Sequence, residues 1–178
     1  MFGILKKYLQ DSSLIEMYFY SGENDKFCCG KVVSLDEYYF TFVSFDPYGR
    51  YDGYFVRRIN DLCRINANSK YINSIIALID NEFVEHIKFD VYEATIPQVL
   101  RLSIDNKKAV SIEIADSDSL IIGIVSSVED NKICINTLNE YGEPDGVSTV
   151  YLEDIISVSY DSLDERKIER LYNSFQNK

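Results

Sequence analysis

The chain contains the hexapeptide Tyr48-Gly-Arg-Tyr-Asp-Gly53 and repeats its pattern 93 residues later as Tyr141-Gly-Glu-Pro-Asp-Gly146. The same shift places Gly30-Lys-Val-Val-Ser34 over Gly123-Ile-Val-Ser-Ser127 without a gap. Single matches arise readily by chance, whereas two glycine-bearing segments at one fixed separation do not. An internal repeat of this kind predicts two copies of one structural unit.

Apolar residues recur with the same shift, so the repeat extends beyond the glycines. They pair as Met17 with Val110, Phe40 with Ile133, and Phe42 with Ile135. We therefore divide the chain into a first repeat, residues 1–93, and a second repeat, residues 94–178. A segment of about 60 residues buries only about 60% of its unfolded surface, which favours two copies packed together.

Each repeat predicts a short helix, five strands and a closing helix. The expected helices are 2–9 and 72–83 in the first repeat, and 97–104 and the segment after the capping box Ser162-Leu-Asp-Glu165 in the second. The expected strands of the first repeat are 14–20, 26–35, 38–45, 54–59 and 62–65. Those of the second repeat are 109–114, 121–128, 132–138, 147–152 and 155–158.

Glycines and aspartates at fixed intervals are the structural residues of the repeat. One glycine lies within the second strand of each copy, where a strand must bend sharply. The hexapeptides predict connecting turns, because glycine adopts positive φ and Asp-Gly favours tight hairpins. The set is Gly30, Gly49, Asp52, Gly53, Gly123, Gly142, Asp145 and Gly146.

The segment from Gly30 to Phe40 resembles the first motif of the Sm-like (LSm) family of small β-barrels, a branch of the SH3-like barrels. That motif has a glycine, an apolar residue and an aspartate, which Gly30, Val32 and Asp36 match. Phe40 stands where the family has an asparagine. The second copy keeps the pattern loosely from Gly123 onward.

The second motif of the family, an Arg-Gly pair after an apolar strand, has no match. The first copy has Val56-Arg57-Arg58 and the second has Val150-Tyr151-Leu152. The resemblance implies a mainly β fold with flanking helices: two tandem Sm-like or SH3-like five-stranded barrels, each with an N-terminal and a C-terminal helix. It carries over no functional residue, and SH3-like barrels unrelated to RNA fit the pattern nearly as well.

Composition favours a soluble cytoplasmic protein. The 178 residues carry a formal net charge of −11, which opposes non-specific binding to nucleic acid. No signal peptide or membrane-spanning stretch is recognisable. The cysteines Cys28, Cys29, Cys63 and Cys134 lie among apolar residues and lack the spacing of a zinc site or a disulfide framework.

The sequence contains no pattern typical of catalysis. Its one histidine, His86, has no nucleophile motif around it, and no glycine-rich phosphate loop is present. Asp46, Asp52, Asn139 and Asp145 gather near the turns, but their spacing fits no calcium loop. We expect no catalytic residue, no metal site and no cofactor, although an enzymatic activity of another type stays open.

Tyrosines and arginines crowd the first repeat around its third strand and turn. Exposed tyrosine favours contacts between proteins. The candidate contact surface consists of Tyr38, Tyr48, Arg50, Tyr51, Tyr54, Arg57 and Arg58. Such a mixture also suits stacking of single-stranded bases.

The sequence thus favours a non-catalytic binding or adaptor protein with a protein partner and no membrane. One alternative is Sm-like RNA binding, which the net charge disfavours. Another is an acidic inhibitor or immunity-type protein that neutralises a basic partner. The sequence identifies neither the ligand nor the oligomeric state.

Overall fold

A computed structural model of the chain describes residues 1–20, 27–79, 87–91, 93, 95–115 and 120–176. Its contacts divide it into two compact units, Met1–Thr95 (unit 1) and Ile96–Lys178 (unit 2). The fold is mainly β with helices flanking the strands. Two residues of the sequence-based interpretation, Phe83 and His86, lie outside the described ranges. Within those ranges, no helix is both long and apolar enough to cross a membrane.

Unit 1 contains five strands, with one helix before them and one helix after them. Its elements are α1 (Phe2–Asp11), β1 (Leu14–Phe19), β2 (Cys28–Leu35), β3 (Tyr39–Phe45), β4 (Tyr51–Arg58), a 3₁₀ turn (Ile59–Asp61), β5 (Leu62–Asn66) and α2 (Lys70–Leu78). The strands are antiparallel in the order β5-β1-β2-β3-β4. Helix α2 ends at Leu78, before the predicted end.

Unit 2 has the same series of elements. They are α3 (Thr95–Asn106), β6 (Ala109–Ile114), β7 (Leu120–Val128), β8 (Lys132–Leu138), β9 (Pro144–Tyr151), a 3₁₀ turn (Leu152–Asp154), β10 (Ile155–Tyr160) and α4 (Leu163–Gln176). Its strand order, β10-β6-β7-β8-β9, matches that of unit 1. In the part of the chain that the structure describes, no pairing joins β4 to β5 or β9 to β10, so the predicted closure into barrels stays a prediction.

The core of each unit consists of the apolar residues that recur in the sequence. In unit 1, Met17, Phe40 and Phe42 are fully buried within one cluster. Their counterparts in unit 2, Val110, Ile133 and Ile135, are also fully buried. Burial of a side chain of this size stabilises a fold by about 1.5–3 kcal/mol, so the shared pattern places equivalent strands around equivalent cores.

The glycine within the second strand allows the third strand to approach. Gly30 pairs with Ser44, and Gly123 pairs with Thr137 in the same register. A Cβ atom at Gly30 would collide with the carbonyl oxygen of Val43 and would lie 2.7 Å from the Phe42 ring. At Gly123 it would collide with backbone of the neighbouring strand in the same way.

A buried carboxylate joins α2 to the sheet of unit 1. Glu16 on β1 is 3% exposed. Its Oε2 accepts hydrogen bonds from the Tyr18 hydroxyl and the Asn66 side-chain amide, each at 2.9 Å, and its Oε1 accepts one from the Ser69 hydroxyl. Ser69 Oγ in turn accepts from the backbone N–H of Ile72 at 3.0 Å. Glu16 therefore ties the first turn of α2 to β1 and β5.

Unit 2 has a buried carboxylate in the same role, but it comes from the helix. Glu165 on α4 is 1% exposed. Its Oε1 accepts from the hydroxyls of Ser111 and Ser159, the latter at 2.8 Å. Its Oε2 accepts from the backbone N–H of Ser162 at 2.8 Å. This last bond confirms the carboxylate half of the predicted capping box.

The partners of the two carboxylates correspond, although the carboxylates do not. The 93-residue shift matches Tyr18 with Ser111, Asn66 with Ser159, and Ser69 with Ser162. The shift places Ala109 at the position of Glu16, and Ile72 at that of Glu165; both are buried. Each unit therefore brings one acid to the same place from a different element.

We expect Gly30→Ala and Gly123→Ala each to lower the free energy of unfolding by about 1–3 kcal/mol, because the new methyl group overlaps fixed backbone. Gly3→Ala is the control: a Cβ there meets nothing within 4 Å, and alanine in a helix is favoured over glycine by about 1 kcal/mol. Urea denaturation measures all three. Wild-type stability of Gly30→Ala would contradict the close strand approach.

The buried carboxylate of Glu16 should make the free energy of unfolding depend on pH. Burial alone would raise the pKa of Glu16, but the hydrogen bonds from Ser69, Asn66 and Tyr18 hold it below its ordinary value of 4.5. A lowered folded-state pKa stabilises the fold above the unfolded value, and this contribution is lost as the pH falls through the folded value.

We therefore expect Glu16→Gln to flatten the fall of unfolding free energy between about pH 5 and pH 3, as measured by urea denaturation at several pH values. Ser69→Ala, which removes one hydrogen bond from the carboxylate, should move the fall to higher pH. An unchanged pH profile in Glu16→Gln would contradict this role.

Candidate functional site

The turn between β3 and β4 presents an exposed tyrosine on a closely hydrogen-bonded backbone. Asp46 Oδ1 accepts from the backbone N–H of Tyr48 at 2.8 Å and of Arg50 at 3.0 Å. Gly49 N–H donates to the Asp46 carbonyl oxygen at 2.9 Å. Tyr48 is 71% exposed. We call residues 46–50 the Tyr48 tip.

Arg50 completes the Tyr48 tip. Its Nε donates to Asp46 Oδ2 at 2.7 Å, and its guanidinium lies 5.1 Å from the centre of the Tyr48 ring. Burial alone would raise the pKa of Asp46, but the bonds from Arg50 and the backbone hold it below its ordinary value. The tip thus holds a tyrosine and an arginine together in one arrangement.

The turn between β8 and β9 has the same pattern of hydrogen bonds to its backbone but different charged side chains. Asn139 Oδ1 accepts from the backbone N–H of Tyr141 and of Glu143, each at 3.0 Å, and Tyr141 is 66% exposed. Hydrogen bonding to Glu140 raises the pKa of Tyr141. We call residues 139–143 the Tyr141 tip. Glu143 takes the position of Arg50, so this tip is acidic.

Each tip lies against the closing helix of its own unit. Gly49 has φ +74°, and a Cβ there would lie 2.7 Å from Leu78 Cβ at the end of α2. Gly142 has φ +75°, and its Cβ would lie 2.6 Å from Leu171 Cβ on α4. Leu78 and Leu171 are 56% and 37% exposed. Each tip therefore places a tyrosine and a leucine at one surface.

The turn is shorter than the hexapeptide predicts. Tyr51, Asp52 and Gly53 belong to β4, and Gly53, at φ +80°, lies where the β3–β4 register shifts. Likewise Asp145 and Gly146 belong to β9. The hairpin closes earlier because the side chains of Asp46 and Asn139 bond the turn backbone.

The predicted contact surface divides between the two ends of the β3–β4 hairpin. Tyr48 and Arg50 lie at the tip, with Tyr51 partly buried beside them. Tyr38, which is 68% exposed, lies at the other end, where its carbonyl oxygen accepts from Ile59 N–H at 2.8 Å. Seven residues of β3 separate the ends, roughly 23 Å at the rise of a strand.

The prediction that Tyr54 belongs to the contact surface is wrong. It is fully buried, because it packs against Tyr51 and Phe89 with ring centres at 5.8 Å and 5.1 Å. Strand alternation directs it inward, as the period of two requires for half of these residues.

The arginines of unit 1 contact aromatic rings of their own chain. Arg57 lies 5.4 Å from the centre of the Phe19 ring, and Arg64 lies 3.6 Å from that of Tyr18. Arg58 donates to the Tyr39 hydroxyl at 3.3 Å. These contacts cover ring faces and donors that stacked bases would need.

The contact surface predicted from the sequence lacks three features of the tips. These are the tyrosine of the second tip (Tyr141), the exposed leucines beside both tips, and the role of Asp46 and Asn139 in closing the turns. The sequence does contain a pattern that predicts the last of these, since an Asp or Asn two residues before each tyrosine is typical of a turn closed by a side chain.

Among residues whose positions the structure gives, no group of three or more His, Cys, Asp or Glu side chains lies close enough to hold a metal ion.

Comparison with known proteins places the chain in no family. No family model matches it, and no curated protein matches it. A solved structure, that of K. pneumonia MrkH in its apo state, aligns over 99% of this chain and 95% of its own, with 10% identity and a TM-score of 0.19. A similarity this low supports no inference about fold or function.

A comparison of the two tips predicts which substitutions of Asp46 the fold tolerates. Asp46→Asn should lower the free energy of unfolding by less than about 1 kcal/mol, because it loses only the ion pair with the exposed Arg50 guanidinium and because Asn139 closes the other tip. Asp46→Ala should cost about 1–2 kcal/mol, because two turn N–H groups lose their acceptor. Equal stability of the two variants in chemical denaturation would contradict the bonding described.

Proposed function

We propose that the chain is a non-catalytic binding protein that recognises another protein through its hairpin tips. The observation that carries this proposal is Tyr48, which is 71% exposed although its backbone is held by Asp46 and braced by α2. A residue whose backbone is already ordered loses less entropy on binding than one in a mobile loop. Tyrosine in such a position is typical of residues that dominate binding energy.

We further propose that each unit is a small barrel of the Sm-like or SH3-like kind, and that the units derive from one ancestral unit. The matching strand order, the glycine within the second strand and the 3₁₀ turn before the last strand support this. The corresponding partners of Glu16 and Glu165 also support a common origin.

The charges of the tips support a protein partner over RNA. Arg50 is paired with Asp46, and the Tyr141 tip carries exposed acids, Glu140 and Glu143. A net charge of −11 repels a polyanion. A partner of the Tyr48 tip would meet a mixed surface, and a partner of the Tyr141 tip would meet an acidic one.

Quantitative capture from a lysate of the source cells tests this role with Tyr48→Ser. We expect at least one protein captured by the wild type to fall about tenfold or more with the variant, since hot-spot truncations cost about 2 kcal/mol or more. Tyr20→Ser is the matched control, because Tyr20 is 75% exposed and lies outside the tips. Both variants should melt like the wild type.

Two outcomes would contradict the proposal. In the first, every captured protein is retained equally by Tyr48→Ser. In the second, the wild type recovers RNA with an affinity that falls steeply with salt, and Arg57→Ala with Arg58→Ala abolishes it.

A further inference from the structure

A groove lies at the same place in both units, and the two grooves differ in size. The groove of unit 2 has a volume of about 970 Å³, and that of unit 1 about 420 Å³. The 93-residue shift relates their walls, because it matches Phe45 with Leu138 and Ile79 with Tyr172. The larger groove has the volume of a site for a small organic molecule.

Two tyrosines of unit 1 account for the difference in size. Strands β4 and β9 coincide end to end under the shift, which places Tyr51 and Tyr54 at the positions of Pro144 and Val147. The centres of the two tyrosine rings are 5.8 Å apart, and Tyr54 is fully buried. Pro144 and Val147 instead line the open groove. Unit 2 therefore leaves open a space in which unit 1 holds two aromatic rings.

The groove of unit 2 has an apolar floor on which such rings can pack. Tyr172 of α4 adds an aromatic ring to its wall, and aromatic rings pack favourably on one another. The aliphatic residues of the lining are Ile104, Ile124, Val125 and Leu138.

Lys107, which follows α3, supplies a cation to this groove. It is exposed, and it forms no ion pair with any residue that the structure describes. Its neighbour Lys108 is already paired with Asp161 at 2.6 Å. The counterpart of Lys107 in unit 1 is Leu14. A carboxylate on a bound molecule would complement Lys107 by a charge-assisted hydrogen bond.

Glu169 of α4 supplies an acceptor to the same groove. Its Oε1 accepts from the backbone N–H of Ala109 at 2.8 Å, and within the described residues no donor reaches its Oε2. Burial raises the pKa of Glu169, although the Ala109 N–H opposes this shift. A partly buried carboxylate with one bond favours a further donor, such as a hydroxyl or an N–H.

We propose that the groove of unit 2 binds an aromatic small molecule of two rings, which carries a carboxylate for Lys107 and a hydroxyl or N–H donor for Glu169. The rings occupy the space that Tyr51 and Tyr54 fill in unit 1. This inference goes beyond the proposed function, because the ligand is a small molecule and none of the lining residues belongs to a tip.

A fluorescence titration of the full chain tests this proposal. The probe is a hydroxynaphthoate, which has its hydroxyl and its carboxylate at opposite ends of two fused rings. We expect it to bind more tightly than naphthoate, which lacks the hydroxyl, and about tenfold or more tightly than naphthol, which lacks the carboxylate.

Val147→Tyr should abolish binding, because it returns to the groove a ring that unit 1 carries. Val147→Thr is the matched control and should keep the wild-type affinity, because it leaves the space open. Both variants should melt like the wild type, since Val147 is 69% exposed.

Lys107→Gln provides a second variant and should weaken binding of the hydroxynaphthoate about tenfold or more. Lys167→Gln is its control, because Lys167 is an exposed lysine of unit 2 that does not line this groove. Tyr48→Ser should bind the probe like the wild type, so failure here is distinguishable from failure of the tip proposal.

Four results would overturn the proposal. They are no binding of the hydroxynaphthoate to the wild type, equal binding to Val147→Tyr, equal affinity for hydroxynaphthoate and naphthol, and a wild-type dimer in sedimentation velocity that Val147→Tyr abolishes. The last result would make a side chain of a second copy of this chain the occupant.

Discussion

The closing helix of each unit is held at two points, and the candidate site depends on both. One point is the buried carboxylate that bonds the first turn of the helix to the sheet, Glu16 in unit 1 and Glu165 in unit 2. The other is the turn glycine, Gly49 or Gly142, which lies against the helix further along. A buried charge is tolerated only when hydrogen bonds compensate it, so these bonds determine where the helix lies. The helix in turn braces the tyrosine at the tip.

Much of the fold was predictable from the sequence, because periodicity and glycine act locally. The bounds of β6 and β8 agree with the prediction to the residue, and Gly30 and Gly123 lie within the second strand of each unit, as predicted. The start of β4 was not predictable from the hexapeptide, because the side chain of Asp46 closes the turn earlier. Closure of each unit into a barrel was expected from the resemblance. It remains a prediction, because the described strands of each unit include no pairing that would close the barrel.

The candidate site was predictable only in part, because a sequence does not show which side of a strand is covered. Tyr54 and Tyr48 lie in the same crowded segment, yet one is fully buried and the other is 71% exposed. The residue that covers Tyr54 is Phe89, which is distant in sequence. Glu165 was predicted as a capping residue, but its bond to Ser111 and the whole role of Glu16 were missed, because no pattern links Glu16 to Ser69 or Glu165 to Ser111.

The different origin of the two buried acids has a consequence for what remains if a closing helix detaches. In unit 1 the acid belongs to the sheet, so loss of α2 leaves Glu16 in place with Tyr18 and Asn66 as its donors. In unit 2 the acid leaves with α4, and the hydroxyls of Ser111 and Ser159 lose the acceptor that they share. The same helix departure therefore leaves an acid without one of its donors in one unit, and donors without their acceptor in the other.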